Sequence, residues 1–251
     1  MKIMSDFGTR PQINRLSRIF ELLDNNFDHV MVNTSQNFTH ELNSVFFDEM
    51  KIRKPDYDMK VNTKEYAKEV ADVIINAEKL LKKEKPDILL ILGDTNSGLS
   101  AIPAAYQGIK IAHLEAGMRS YDPRMPEEKN RVMIDHLSTV LLPYTQYSRE
   151  NLIRENIHPS KIYVVGNPII EVVQHYLPKI EKSRILESLK LKKNDYFLVT
   201  AHRSENVDNK ASLKNIFLGL EKISKTFRKK ILYPIHPRTT VSYTHLRAHE
   251  T

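Results

Sequence analysis

Residues 87–95 read DILLILGDT, and this stretch gives the clearest indication of the fold class. The apolar run from Ile88 to Leu92 is far too short to cross a bilayer and shows no alternation with polar residues, which is typical of a strand buried on both faces. Gly93-Asp94-Thr95 follows, and residues 96–106 have a helical pattern. Asp94 therefore lies at the carboxyl end of a buried strand, where it could also cap the next helix. A strand that leads into a helix in this way indicates a parallel α/β fold.

The same alternation extends in both directions from this stretch. Short apolar runs predict strands at residues 2–7, 29–33, 87–92, 110–115, 139–143 and 161–165. Amphipathic segments predict helices at residues 11–24, 63–83, 96–106 and 127–138. Pro103 lies inside one of these helices and is expected to kink it. We therefore expect a first domain, residues 1–167, built as a parallel sheet covered by helices.

A second unit begins after Asn167-Pro168. Its pattern predicts a helix at 169–176, a strand at 196–200, a helix at 210–224 and a strand at 230–235. A doubly wound domain has roughly 150 residues, about twice what remains here. We expect residues 168–240 to form only the start of this domain.

The last stretch, residues 241–251, reads VSYTHLRAHET and has no apolar period. It can be back-translated into a transposase-type sequencing adapter, so we interpret it as translated adapter sequence rather than an ordinary polar tail. For this reason His245 and His249, although four residues apart, are not offered as a metal site, and we expect no metal.

The composition excludes several classes of protein. There is no cysteine, which rules out disulfides, thiolate catalysis and cysteine-bound zinc. The N-terminus lacks the layout of a signal peptide, so a cytoplasmic protein with no membrane segment is expected. Lysine and arginine outnumber the acidic residues by 38 to 31. The basic residues are spread in small clusters beside apolar residues at helical spacing, which favours solvated helix faces over a nucleic-acid surface.

Four segments of the chain have side chains that could take part in binding or catalysis. Gly8-Thr9-Arg10-Pro11 joins the first strand to the first helix, where Arg10 could bind a phosphate at the helix N-terminus. Glu115 closes a buried strand and needs a partner or a ligand. If its strand is the neighbour of 87–92, about 4.8 Å away, Glu115 and Asp94 meet at one edge of the sheet. Two carboxylates that meet raise each other's proton affinity, which suits acid and base roles.

The other two segments are the first turn of a predicted helix and the residues that follow a predicted strand. Glu127 lies in the first turn of a helix, where its charge suits the helix dipole, and it could pair with Arg131 four residues later. His202 and Arg203 follow the predicted strand 196–200 and are placed like a phosphate clamp, although a surface pair is also possible at such a position. The residues alone thus indicate a two-lobed α/β protein with a carboxylate-rich cleft.

In this order the motifs resemble the non-hydrolysing UDP-N-acetylglucosamine 2-epimerases over residues 1 to about 239. The matching pieces are Gly8-Thr9-Arg10-Pro11, Gly93-Asp94-Thr95, His113-Leu114-Glu115-Ala116-Gly117, Pro126-Glu127-Glu128 with Asn130-Arg131, Gly166-Asn167, His202-Arg203-Ser204-Glu205-Asn206 and Tyr233-Pro234-Ile235-His236-Pro237. Each motif is short, and it is their ordered combination that is specific.

The resemblance implies two Rossmann-like domains in the glycosyltransferase type B arrangement, a homodimer, no cofactor, and a role in surface polysaccharide precursor synthesis. It implies inversion at C2 of UDP-N-acetylglucosamine, giving UDP-N-acetylmannosamine through elimination and re-addition of UDP. Asp94, Glu115 and Glu127 would be the acid and base carboxylates, and His202 would assist the leaving group. The implied substrate-binding residues are Arg10, Gln36, Arg131, Arg203 and His236.

The chain departs from the family pattern at Asp6, within the first strand, and around Gln36, where many members have Gln-His. The family's later uridine-binding segments do not occur in it, so we expect the 251-residue chain alone to be inactive. Alternative functions are a C2-epimerase of another UDP-2-acetamido sugar, a hydrolysing epimerase, a type B glycosyltransferase, and a non-catalytic module that binds UDP-sugar or nucleic acid.

Overall fold

The computed structural model of the 251-residue chain describes residues 1–34, 46–62, 65–201 and 209–234. The chain divides into two compact units, Met1–Leu177 and Pro178–Thr251. The domain boundaries expected from the sequence stay a prediction.

The first unit is built on a parallel sheet, as its apolar runs predicted. Among the described residues six strands pair in parallel, in the order β3-β2-β1-β4-β5-β6. Their bounds are β1 Lys2–Phe7, β2 Asp28–Asn33, β3 Tyr57–Asp58, β4 Ile88–Leu92, β5 Lys110–Leu114 and β6 Val140–Leu142. The chain reverses its direction of travel across the sheet between β1 and β4, and ligands of open α/β sheets bind beyond the carboxyl ends of strands at such a point.

The helices follow the strands in alternation. They are α1 Arg10–Asn26, α2 Tyr66–Glu84, α3 Ala101–Tyr106, α4 Pro126–Leu137, α5 Gln146–Arg154 and α6 Ile169–Glu181, with 3₁₀ turns at Asn96–Ser100 and Pro159–Lys161. Because β4 is central, its side chains alternate between two buried cores: Leu89 and Ile91 face α2, α3 and α4, whereas Leu90 and Leu92 face α1. Burial of each such side chain contributes about 1.5–3 kcal/mol, which explains why the apolar run so clearly marks this strand.

The described part of the second unit is smaller. Strands β7 Tyr196–Leu198 and β8 Lys230–Leu232 pair in parallel, and α8 Lys210–Phe227 connects them, after a short helix α7 Ile185–Ser188. Phe197 and Phe227 contact each other edge to face at 5.5 Å. The strand, helix and strand expected here are confirmed, but the two strands end earlier than predicted, at Leu198 and Leu232. Residue 235, the last of the predicted strand 230–235, lies outside the described residues.

Two expectations from the sequence were wrong in detail. The predicted strand 161–165 makes only one isolated bridge, between Leu141 and Ile162. Residues 96–106 do not form one kinked helix but a 3₁₀ turn followed by α3. Pro103 therefore lies in the first turn of α3, where its missing N–H breaks no intrahelical hydrogen bond.

Asp6 does not interrupt the first strand. All six residues of β1 pair with β2, and the side chain of Asp6 is buried beside Ser100, whose hydroxyl donates to it. Burial raises the pKa of Asp6 to about 7, against the opposing effect of the Ser100 hydrogen bond. Asp6, the polar residue at which the chain departs from the family pattern, thus lies inside the core as a buried carboxyl group.

Candidate active site

Asp94 and Glu115 lie at one edge of the sheet, as predicted. Strands β4 and β5 are parallel neighbours, with Leu92 paired to Leu114. Glu115 follows β5 directly, and Asp94 follows β4 after Gly93. Gly93 has a φ of +73°, and a Cβ added there would come 3.1 Å from Oε2 of Glu115. A glycine is therefore favoured at position 93, both for its backbone conformation and because a side chain there would press on the Glu115 carboxylate.

The backbone of Glu115 is itself in the left-handed region, with a φ of 73°. This conformation costs a non-glycine residue about 1 kcal/mol or more and is concentrated at functional sites. On α1, Arg15 donates a hydrogen bond to the Glu115 carboxylate.

Burial dominates the proton affinity of Glu115. Removal from water raises the pKa of Glu115, the Arg15 guanidinium lowers it, and the charge of Asp94 raises it again. The net effect is a raised pKa. A carboxyl group that can hold a proton nearer to neutral pH suits general acid and base chemistry.

Asp94 forms an ion pair with a different arginine. Arg131, on α4, donates to the Asp94 carboxylate and also lies 3.1 Å from Glu128. The side chain of Asn130 donates to the Asp94 carbonyl and to Asn96, both at 3.0 Å. The N-terminal half of α4 therefore holds the loop after β4, and Arg131 contacts Asp94 and Glu128 instead of the expected Glu127.

The two adjacent glutamates of α4 differ in their surroundings. Glu127 is exposed at the start of the helix, whereas Glu128 is buried and accepts hydrogen bonds from Ser120 and Tyr121. Burial alone would raise the pKa of Glu128, but these backbone and hydroxyl donors hold it below the ordinary value. Glu128 thus shapes the loop after β5, while Glu127 stays accessible to a ligand.

The Gly8-Thr9-Arg10-Pro11 turn is braced from inside by Gln12. The Gln12 side chain accepts from the backbone N–H groups of Gly8 and Thr9 at 2.9 and 3.0 Å and donates to the Leu92 carbonyl at 2.8 Å. It therefore ties the ends of β1 and β4 together. Arg10 is exposed beside this turn, with its guanidinium 5.7 Å from the centre of the Phe46 ring.

Tyr144, which follows β6, borders the same edge of the sheet. It is 92% buried, and among the described residues its hydroxyl has no hydrogen-bond partner of ordinary geometry. Burial and the nearby Glu115 charge raise the pKa of Tyr144, while Arg15 opposes them. An aromatic hydroxyl thus lies within the electrostatic reach of the Arg15–Glu115 pair.

The structure brings together Asp94, Glu115 and Arg131, and it places Glu127 and Arg10 at the starts of the helices that border them. The remaining predicted site residues, Gln36, His202, Arg203 and His236, lie outside the described residues. Sequence reasoning missed Arg15, Glu128, Tyr144 and Gln12. Only Gln12 had a local signal, since Thr9-x-x-Gln12 has the spacing of a capping box. The others depend on contacts between distant segments.

No helix in the described part of the chain is long and apolar enough to cross a membrane. No group of histidine and acidic side chains in the same residues is arranged to hold a metal ion.

Comparison with known proteins places these features in a family. The family model described as UDP-N-acetylglucosamine 2-epimerase matches residues 21–249. A UDP-N-acetylglucosamine 2-epimerase of Methanocaldococcus jannaschii is 41% identical over 244 residues, which cover 95% of this chain and 67% of the relative. A UDP-2,3-diacetamido-2,3-dideoxy-D-glucuronate 2-epimerase of Pseudomonas aeruginosa is 32% identical, over 95% of this chain and 68% of the relative.

The fold agrees with solved structures as well. The crystal structure of the Methanocaldococcus jannaschii UDP-GlcNAc 2-epimerase in complex with UDP-GlcNAc and UDP superimposes with a TM-score of 0.90 at 38% identity. The match covers 100% of this chain and 70% of that structure. The chain thus spans about two thirds of the length of the relatives it matches.

Proposed function

Because this chain belongs to the UDP-N-acetylglucosamine 2-epimerase family, we propose that it supplies the acid and base groups that invert C2 of UDP-N-acetylglucosamine. The observation that carries the proposal is the pair Asp94 and Glu115, which follow neighbouring strands and each contact an arginine. Two carboxylates in different surroundings suit a reaction that removes a proton from one face of C2 and returns it to the other.

The proposed reaction needs no redox step. One carboxylate takes the C2 proton, the electrons of the C–H bond form a C1=C2 double bond, and the C1–O bond breaks to release UDP. The intermediate is a 2-acetamidoglucal. A carboxylic acid then protonates C2 from the opposite face while an oxygen of the UDP diphosphate adds back to C1.

The residues of this chain match the demands of these steps. The C2 hydrogen is weakly acidic, so the base must be held close to it and the negative charge on the leaving UDP must be neutralised. Glu115, with its raised pKa, is suited to hold or accept the proton. Arg10 is exposed at the N-terminus of α1, and exposed Glu127 is a third carboxylate at the start of α4. We propose Arg10 as a diphosphate contact and Glu127 as an additional acid or base.

Product analysis tests the proposal. The chain extended to the length of its relatives is incubated with UDP-N-acetylglucosamine in deuterated water and followed by NMR. Solvent deuterium at C2 of intact UDP-sugar, in both epimers, is the expected result. Free sugar with UDP would indicate a hydrolysing epimerase, and binding without turnover would indicate a UDP-sugar-binding module; either result contradicts the proposal.

A second candidate substrate rests on the Pseudomonas aeruginosa relative, whose name states a diacetamido uronate. The same assay with UDP-2,3-diacetamido-2,3-dideoxy-D-glucuronate separates the two, since the ratio of kcat/KM values identifies the preferred sugar. A cytoplasmic location, a homodimer and a role in surface polysaccharide precursor synthesis remain predictions.

A further inference from the structure

His113 is a buried histidine whose two ring nitrogens both face acceptors. It lies in β5, two residues before Glu115, and its side chain is completely buried. Nε2 is 2.9 Å from the carbonyl oxygen of Gly93, and Nδ1 is 2.7 Å from Oδ1 of Asp135 on α4. A carbonyl oxygen can only accept, so Nε2 carries a proton and donates it to Gly93.

The state of Asp135 decides whether Nδ1 carries a proton too. The other oxygen of Asp135 accepts from the Gly117 N–H at 3.1 Å and lies 2.8 Å from the Arg119 guanidinium. An arginine cation and a backbone N–H donor at this oxygen favour the ionised form of Asp135. An ionised carboxylate accepts and cannot donate, so Nδ1 is also a donor and the ring is an imidazolium.

A buried cation is tolerated only when it is paired and hydrogen-bonded. The cluster meets this condition, because the almost fully buried Arg119 side chain also donates to both oxygens of Glu155. Two cations, His113 and Arg119, thus face two carboxylates, Asp135 and Glu155. Loss of one member would leave its partner charged and buried.

The cluster touches the backbone on both sides of the proposed catalytic pair. Gly93 immediately precedes Asp94, and Gly117 follows Glu115 by two residues and has a φ of +75°. A Cβ at Gly117 would come 2.2 Å from the Ser148 carbonyl oxygen, so this part of the loop has a single close-packed position. His113 and Asp135 together therefore connect the end of β4 to the loop after β5.

We propose that His113 is a positioning residue whose ring is protonated on both nitrogens. It donates to the Gly93 carbonyl and to the Asp135 carboxylate, and so holds together the segments that carry Asp94 and Glu115. Its charge also favours the ionised form of Glu115, together with Arg15 and against Asp94. The part that concerns turnover rests on the proposed epimerase function; the charge state of the ring does not.

The charge state is measured first, in the unmutated 251-residue chain. With ¹⁵N-labelled histidine, NMR reports the protonation of each ring nitrogen, and His113→Gln identifies the signal by its loss. Both nitrogens of His113 are expected to carry a proton at neutral pH, because each faces a hydrogen-bond acceptor. A ring with a single proton at neutral pH would overturn the inference, whatever the enzyme does.

The positioning role is measured in the chain extended to the length of its relatives. His113→Gln is expected to lower kcat by about 10- to 100-fold with little change in KM. The acidic limb of the kcat/KM profile should move to higher pH, because Glu115 loses a neighbouring cation and its pKa rises further. A structural defect alone would lower the rate equally at every pH, and that result would contradict the proposal.

His158→Gln is the matched control. His158 is an exposed histidine outside this cluster, and its Nδ1 lies 2.8 Å from the Ser160 hydroxyl. We expect its profile to be unchanged. If the unmutated extended protein does not epimerise, the proposed function fails, while the ring protonation still decides the state of His113.

Discussion

The guanidinium of Arg15 donates a hydrogen bond to the carboxylate of Glu115, although the two residues are 100 positions apart in the chain. Arg15 lies on the first helix and Glu115 ends the fifth strand, so the contact joins α1 to the edge of the sheet. Because both side chains are largely buried, the charge of Arg15 acts on Glu115 with little screening by water.

Replacement of Arg15 is expected to raise the pKa of Glu115 further, since the guanidinium opposes the effect of burial. In the extended protein, Arg15→Gln should move the acidic limb of the kcat/KM profile to higher pH and lower activity at neutral pH by about 10-fold or more. Lys68→Gln, a change to an exposed cation paired with Glu65, is the control and should leave the profile in place. An unmoved limb in Arg15→Gln would show that the pair does not tune Glu115.

Removal of either carboxylate tests the chemical step itself. Asp94→Asn and Glu115→Gln in the extended protein should each lower kcat by about 10²-fold or more, because general acid and base catalysis contributes a factor of that size. UDP affinity should change little by comparison. Asp28→Asn, an exposed change at the opposite end of the sheet, serves as control. A variant that keeps near-normal turnover removes its residue from the mechanism.

Arg10 is predicted to bind the diphosphate. Arg10→Ala should weaken UDP binding to the extended protein by about 1.5–3 kcal/mol, the contribution of a hydrogen bond to a charged group. Isothermal calorimetry measures the change, with Arg154→Ala on the exposed face of α5 as control. Equal UDP affinity in the two variants would place Arg10 outside the binding site and leave its contact with Phe46 as its role.

The buried carboxyl of Asp6 should make stability depend on pH. Its folded-state pKa of about 7 lies above the ordinary aspartate value of 3.8, so the folded chain keeps this proton longer than the unfolded chain. The stabilisation is fully present below the unfolded pKa and is lost as the pH rises to about 7, by up to about 4 kcal/mol.

Asp6→Asn cannot ionise and should therefore unfold at a higher temperature than the unmutated chain at about pH 8, with an advantage that shrinks towards about pH 4. Thermal unfolding of the 251-residue chain at several pH values measures this difference. Asp28→Asn, which removes an exposed carboxylate, should show no such trend. A constant difference at every pH would mean that Asp6 does not titrate during unfolding.

Much of this protein was predictable from local sequence. The apolar runs correctly indicated β1, β2, β4, β5 and β6, because burial on both faces removes polar residues from a strand. The prediction that Asp94 and Glu115 meet also held, since it needed only the pairing of two successive strands. Residues 161–165 misled because only Ile162 among their apolar side chains is buried beside β6, whereas Tyr163, Val164 and Val165 are exposed. An apolar run alone does not show whether its side chains are buried.

Local sequence was sufficient to predict the parallel α/β class and the strand ends that carry the acidic residues, and it contains the ordered motifs of the family. The pairing of cations and carboxylates is visible only in the folded chain: Arg15 with Glu115, Arg131 with Asp94, and His113 with Asp135. Periodicity and capping involve residues within a few positions of each other, whereas these pairs depend on strand order and on the positions of the helices against the sheet. Burial then sets their strength, because a charge removed from water is governed by the partners that the fold places beside it.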